Sequence, residues 1–366
     1  MDTKAVRTKG YLAYRPELDG MRGLGVLAIM WYHSQAFVGG PNYYGGFHAL
    51  DMFFVLSGYL ITTLLVREWD RFAVISIGNF YARRALRLLP ALFIAISFGA
   101  FVVSILAEPF PRPYWQSALA AVSYVANWFQ LQLSIAPLGH TWSLSVEEQY
   151  YFAWSALLVI ALKRGASYRR LGSLALVVAG AMGVARYIAF KTGNANFAVL
   201  STFTRPDGVL IGSGLAMLLA DIPLRVRTFL SRREVGMSAA FLFVAGSFVL
   251  DWHRPLYYEG GLTAFNVVTA VLIAHMLLSE WSAPRRFLAF RPFAALGRIS
   301  YGVYLFHVPM VYLVVGHPAT RVGAEWVGLF FVASIGMGVA SWFLVERPVL
   351  KLKSRFGSMS KTPVAT

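Results

Sequence analysis

The sequence contains no cysteine. That excludes disulfides, thiolate metal sites and a cysteine-borne acyl intermediate, and says nothing firm about compartment. Charge is scarce as well: only 14% of the 366 residues are charged, far fewer than a soluble chain of this length carries. Acidic residues are rarer than basic ones, 17 against 33. No G-x-S-x-G, P-loop or H-x4-D element occurs. His48, His253, His275 and His317 form no metal-ligand spacing. No repeat, low-complexity segment or matched pair of transporter-like halves stands out. No small-residue cleavage site follows the basic N-terminus, so a retained first helix is expected.

Apolar residues are abundant, 57% of the chain, and the mean hydropathy is +0.58. Runs long enough for membrane helices are expected at 23–38, 49–66, 91–107, 144–162, 171–190, 206–220, 235–250, 262–281, 297–316 and 325–344. The expectation is an all-α polytopic membrane protein of about ten transmembrane helices. Residues 1–22 form a cytoplasmic arm, 23–344 one membrane domain and 345–366 a basic cytoplasmic tail. The net charge of +16 fits positive-inside loops better than nucleic-acid binding.

The segment 115–133 is an eleventh apolar candidate, but Asn127, Gln130 and Gln132 interrupt it. With ten spans and a cytoplasmic N-terminus, 27 of the 33 lysines and arginines face the cytoplasm. Counting 115–133 as a crossing breaks that bias. It is therefore expected to be a re-entrant or interfacial helix on the outer side, lining a cavity.

Several stretches place polar groups in or beside these runs. LDGMRGLGVLAIMWYHS, residues 18–34, carries Arg22 and His33. Eleven residues turn a helix by about 1100° and rise about 16 Å, so the two share a face. Asp19 and Arg22 stand at i, i+3 and can pair. His33 reads either as a general base or as a buried histidine bonded to a neighbouring carbonyl. In DMFFVLSGYLIT, Ser57 and Gly58 read either as a close helix contact or as a gap for a ligand chain. Arg83, Arg84 and Arg87 precede Pro90 and read either as an anionic-lipid anchor or as a phosphate site. In TWSLSVEEQYYF, Glu147 and Glu148 point about 100° apart, so one alone faces a given cavity. Ser145 with Glu148 fits a capping box, which leaves Glu147 to pair with an intramembrane cation. Arg205-Pro206-Asp207 reads as a helix start. Tyr301, Tyr304 and His307 form a polar stripe within a span, and Glu346-Arg347-Pro348 ends the last one.

These stretches, with TRPDGVLIGSGLA, SYGVYLFHVP and VERP, occur in an order that resembles the acyltransferase 3 family of integral-membrane O-acyltransferases. The resemblance covers almost the whole chain. It implies a ten-helix domain that transfers an acyl group, acetyl or another short acyl, from cytoplasmic acyl-CoA to a hydroxyl of a carbohydrate-type acceptor. His33 matches the family's proposed catalytic histidine and Arg22 its partner. Arg83, Arg84 and Arg87 match the R-R-x-x-R motif for the CoA phosphates, and Glu147 and Glu148 match the S-x-E-E-Q pair. The expected donor site adds Arg22, Ser57 and Gly58; the expected acceptor side holds Asp19, Trp142, Tyr304 and His307. No cofactor is expected to be bound permanently; acyl-CoA is a substrate. Expected partners are acyl-CoA, a carbohydrate, glycolipid or secreted small-molecule acceptor and membrane lipid, without nucleic acid. The alternative is a transporter or flippase with a polar track through His33, Glu147 and His307.

Overall fold

A computed structural model describes residues 14–38, 45–106, 113–132, 137–279, 282–315 and 323–352. In chain order its helices are α1 (Pro16–Val38), α2 (Gly45–Phe72), α3 (Ile77–Leu106), α4 (Tyr114–Val122), α5 (Ala126–Gln132), α6 (Trp142–Lys163), α7 (Tyr168–Lys191), α8 (Ala195–Leu200), α9 (Asp207–Ala220), α10 (Leu224–Ser231), α11 (Arg233–Val249), α12 (Leu262–Leu278), α13 (Ala283–Leu288), α14 (Arg291–Val315), α15 (Ala324–Ser341) and α16 (Arg347–Leu350). No strand occurs among the described residues. An apolar chain in lipid must satisfy its backbone internally, and the helix does so locally. The all-α polytopic expectation is met. The first 13 residues, the tail beyond 352, Arg112, His317 and Arg321 lie outside the described residues.

Each of the ten expected spans coincides with a helix, but six of them are long and apolar enough to cross a membrane by length and composition. These are Gly45–Phe72, Ile77–Leu106, Tyr168–Lys191, Tyr257–Leu278, Arg291–Val315 and Glu325–Leu350. The other four fall short for two reasons. Helices α9 and α11 have 14 and 17 residues, and at 1.5 Å per residue the shorter rises about 21 Å against a hydrocarbon core of about 30 Å. Helices α1 and α6 are long, but Arg22, His33 and Gln35 dilute the first, and Glu147, Glu148 and Gln149 the second. The segment 115–133 is two short helices, broken at Tyr124, whose φ is +54°. Neither piece spans a bilayer, in keeping with a re-entrant or interfacial segment. The side chains of Gln130 and Gln132 lie outside the described set. Helix α3 runs unbroken through Pro90, which therefore does not separate the arginine segment from the span.

The chain divides into two compact units, each drawn from separate stretches: Met1–Gln35, Gly40–Thr63 and Gly165–Ser300 in the first; Ala36–Gly39, Leu64–Arg164 and Tyr301–Thr366 in the second. In the first unit, α9 threads between neighbours at backbone contact. A β-carbon at Gly58 would collide with the Val209 carbonyl, and one at Gly212 with that of Val55. Thr62 Oγ1 donates to Ser213 Oγ at 2.8 Å in the same seam. Small residues let membrane helices approach this closely. Helix α1 is seated likewise: Gly20 meets the Leu288 carbonyl, and Gly297 the Asp19 carbonyl.

Two fully buried ion pairs cross this unit. Arg205 donates to Asp51, which also faces His48 Nδ1 at 3.6 Å. Arg186 donates to Asp207 at 2.9 Å, to Thr263 Oγ1 at 2.6 Å and to the Thr204 carbonyl at 2.8 Å. Lone charges in an apolar interior cost several kcal/mol each, so each arginine needs its carboxylate. Arg205-Pro206-Asp207 therefore does more than start a helix.

In the second unit, Ala91, Leu92 and Ala95 of α3 pack with Leu305 and Phe306 of α14. Tyr301 Oη donates to the Leu88 carbonyl at 2.8 Å. The break between α4 and α5 is sealed by α6: Gln149 donates to the Tyr124 carbonyl at 2.6 Å, and Ser145 Oγ accepts from Ala126 N at 3.1 Å. Irregular backbone at membrane depth requires such partners.

Asp51→Leu is expected to destabilise the protein by about 3–5 kcal/mol because it strands Arg205, whereas D51L/R205L recovers much of that loss. Thermal melting in detergent measures both; a double variant no better than the single contradicts the pairing. Gly58→Leu should abolish folded, monodisperse protein in size-exclusion chromatography, since the Val209 backbone occupies the space of the added side chain.

Candidate active site

Helix α1 opens with three acidic or basic contacts, all within the first unit. Glu17 is buried and accepts from Arg15 at 3.5 Å and from Arg285 at 3.3 Å. Arg285 is itself held by the Ser279 carbonyl at 3.0 Å. Asp19 and Arg22 pair at 3.4 Å, so the i, i+3 contact forms, and both remain partly exposed. Carboxylates in a first helical turn also suit the helix dipole.

Three turns on, His33 is half-buried. Its Nδ1 lies 3.0 Å from the Ile29 carbonyl. A carbonyl only accepts, so Nδ1 carries the proton and Nε2 is the basic nitrogen of the neutral ring. The bond to a neighbouring carbonyl and the capacity to act as a base are therefore compatible: the first fixes the tautomer that the second needs. The Tyr32 ring meets the imidazole edge-on, with centroids 5.2 Å apart.

Ser57 donates to the Phe54 carbonyl of its own helix at 3.0 Å, and Gly58 abuts Val209. Of the two readings of this pair, the geometry is that of a packed helix contact. The space beside Gly58 is filled by α9 rather than open to a ligand chain.

The arginine cluster belongs to the second unit. Arg84 makes a two-pronged contact with Glu148, through Nε at 3.2 Å and through Nη2, while its guanidinium lies 4.2 Å from the Tyr151 ring centroid. Arg83 donates to Glu68 at 3.2 Å. Glu68 also accepts from the Ser76 backbone N–H at 2.9 Å, which ties the start of α3 to the end of α2. Arg87 is exposed. Arg83 and Arg84 pair with Glu68 and Glu148, and Arg87 is the most exposed of the three while its charge acts on Glu346.

Helix α6 alters the expectation for its two glutamates. Glu148 makes the direct ion pair with Arg84, and the charge of Glu147 also acts on that arginine. The capping box does not form, because the helix starts at Trp142 and Ser145 already lies inside it. Ser145 donates back to the Thr141 carbonyl at 3.2 Å while accepting from α5. Glu147 is half-buried on the neighbouring face, and Trp142 is buried.

Tyr304 and His307 sit in a compact polar knot of the same unit. Tyr304 Oη donates to the His140 carbonyl at 2.7 Å and contacts Ser143 Oγ at 2.6 Å. His307 Nδ1 bonds to the Tyr304 carbonyl, and His140 Nε2 to that of Leu305 at 3.2 Å. The two imidazoles meet edge-on, with centroids 5.1 Å apart and planes at 73°. His140 has no spacing signal of its own, because it precedes its helix; it stands immediately before the TWSLSVEEQ stretch. Arg186 lies deep within the apolar run 171–190, and its partner Asp207 has the sequence pattern of a helix start. Among the described residues, no group of three or more His, Asp or Glu side chains has the arrangement to hold a metal ion.

The structure therefore assembles Asp19 with Arg22, and Ser57 and Gly58 with α9, in the first unit, where His33 also resides. It assembles Arg84 with Glu148, and Tyr304 with His307, in the second.

Residues 15–346 match the family model described as an acyltransferase domain. The O-acetyltransferase OatA of Staphylococcus aureus is 31% identical over 313 residues, 82% of this chain and 51% of that protein. The putative peptidoglycan O-acetyltransferase YrhL of Bacillus subtilis is 29% identical over 356 residues, 92% of this chain and 55% of that protein. The chain spans about half the length of these relatives. No solved structure matches it. With a family match that runs from the start of α1 to the end of the last long helix, the chain belongs to the acyltransferase 3 family.

Proposed function

We propose that the protein is a membrane-embedded O-acetyltransferase that moves an acetyl group from acyl-CoA to a hydroxyl of a carbohydrate acceptor of the cell envelope, with both termini on the cytoplasmic side. The observation that carries this reading is the 3.0 Å contact of His33 Nδ1 with the Ile29 carbonyl, which as an acceptor calls for Nδ1–H and so makes Nε2 the ring's proton acceptor. The family match and the names of the relatives, both O-acetyltransferases, support the reaction class.

In this scheme Nε2 takes the proton of the acceptor hydroxyl as its oxygen attacks the thioester carbonyl. The C–S bond breaks, and the departing thiolate receives that proton from the imidazolium, which restores neutral His33. Arg22 lies about three turns away on the helix, too far for the chemistry and suited to the donor. In the second unit, Arg87 is the exposed member of the arginine cluster and the best placed to receive a CoA phosphate. Arg84 acts by holding α3 to α6 through Glu148.

In proteoliposomes given radiolabelled acetyl-CoA and a glycan acceptor, His33→Ala should lower transfer by about 100-fold or more while leaving the melting temperature unchanged. Full retained transfer sinks the assignment, and movement of unmodified glycan without consumption of acetyl-CoA would make the protein a transporter. The two arginines separate by readout. Arg87→Ala should raise the KM for acetyl-CoA with melting unaltered, whereas Arg84→Lys, which loses the planar fork, should lower the melting temperature. Equal effects from both substitutions on both readouts would contradict the division of roles.

A further inference from the structure

Helix α10 buries none of its eight residues. Arg225 and Arg227 on it, and Arg232 and Arg233 after it, are all exposed. Interleaved with them, Leu224 and Phe229 stand 77% and 53% exposed. Helix packing places this segment at one end of the first unit. Gly172, at the start of α7, packs on Leu218 at the end of α9; Gly236, at the start of α11, packs on His275 near the end of α12. His275 Nδ1 in turn bonds the Leu230 carbonyl of α10 at 2.9 Å. Exposed Arg169 and Arg170, in the first turn of α7, therefore lie at the same end.

Two further observations identify what this end meets. Val177 and Val184 on α7 and Phe241 and Phe248 on α11 are exposed apolar side chains, and on each helix they lie beyond the arginines at its start. At the opposite end of these helices the cations are matched: Lys191 pairs with Glu259 at 3.0 Å and Arg254 with Asp251 at 3.5 Å. Among the described residues, none of the six arginines at the α10 end has a carboxylate partner within ion-pair distance.

We infer that α10 and its flanking arginines form a docking surface for anionic phospholipid headgroups at the edge of the bilayer that surrounds the helices. The arginines meet headgroup phosphates, while Leu224 and Phe229 enter the acyl boundary, which accounts for apolar and cationic side chains alternating on one exposed helix. A soluble phosphate ligand would satisfy the arginines and leave both apolar side chains in water. The inference does not rest on acetyl transfer.

The full chain, purified in neutral detergent, is mixed with phosphatidylglycerol or phosphatidylcholine, and bound lipid is counted by native mass spectrometry. Wild type should retain phosphatidylglycerol preferentially. R225Q/R227Q/R232Q/R233Q should lose that retention by about tenfold or more, with melting unchanged, since each basic residue near an anionic surface contributes about fivefold. L224S/F229S should weaken retention with all charges intact. Equal phosphatidylglycerol retention by wild type and the arginine variant overturns the inference. So does displacement of the lipid by inorganic phosphate at constant ionic strength, which would assign the surface to a soluble anion.

Discussion

An arginine inside an apolar helix bundle has to be answered by a carboxylate, and the first unit is organised around two such answers. Asp51 comes from α2, Arg205 from the segment before α9, Asp207 from its first turn and Arg186 from α7. The Asp51–Arg205 pair closes a loop of 154 residues and the Arg186–Asp207 pair one of 21, and together they set which helices become neighbours. Once α9 is drawn in by both pairs, its glycines bring it to backbone contact with α2. Buried ion pairs repay little stability against apolar replacements, but losing one partner is costly. They act as constraints on arrangement more than as a source of free energy.

The same logic, at lower burial, shapes the second unit. Glu148 and Glu68 each hold an arginine of α3, so α3 is tied to α6 on one side and to the end of α2 on the other. The broken α4–α5 segment depends on α6 as well, through Gln149 and Ser145. Helix α6 is thus polar because it serves three partners, and that polarity is why it fails a simple test of apolarity. Helix α1 fails it for a comparable reason. The two long helices that fail it are the ones that carry His33 and the Glu147–Glu148 pair, and ionisable groups at membrane depth are functional-site candidates.

Much of this was legible in the sequence, and the remainder was hidden for physical reasons. The ten apolar runs each became helical, because a bilayer leaves an apolar chain few other choices. The polar interruption at 115–133 falls on a segment that is two short helices and not one long one. The i, i+3 pairing of Asp19 with Arg22 followed from helix geometry alone. By contrast, which of two adjacent glutamates meets an arginine depends on the rotational phase of α6 against α3, and no local pattern records that phase. Ser145 looked like a cap because its spacing to Glu148 fits one, but the helix begins three residues earlier and the serine serves α5 instead. Asp207 satisfied the rules for a helix start so well that its pairing with Arg186 was masked. Gly58 was open to two readings until Val209 was found against it. In His33 the bond to a neighbouring carbonyl forms, and it sets Nε2 as the basic nitrogen of the neutral ring.

The central claim is that this scaffold serves acetyl transfer to an envelope glycan. It is tested most directly by mass spectrometry of cell-envelope glycans from the source organism with and without the gene. The account predicts loss of one acetyl mass from a defined glycan in the deletion and its return with the wild-type gene but not with the His33→Ala gene. Identical glycan spectra with and without the gene would contradict it.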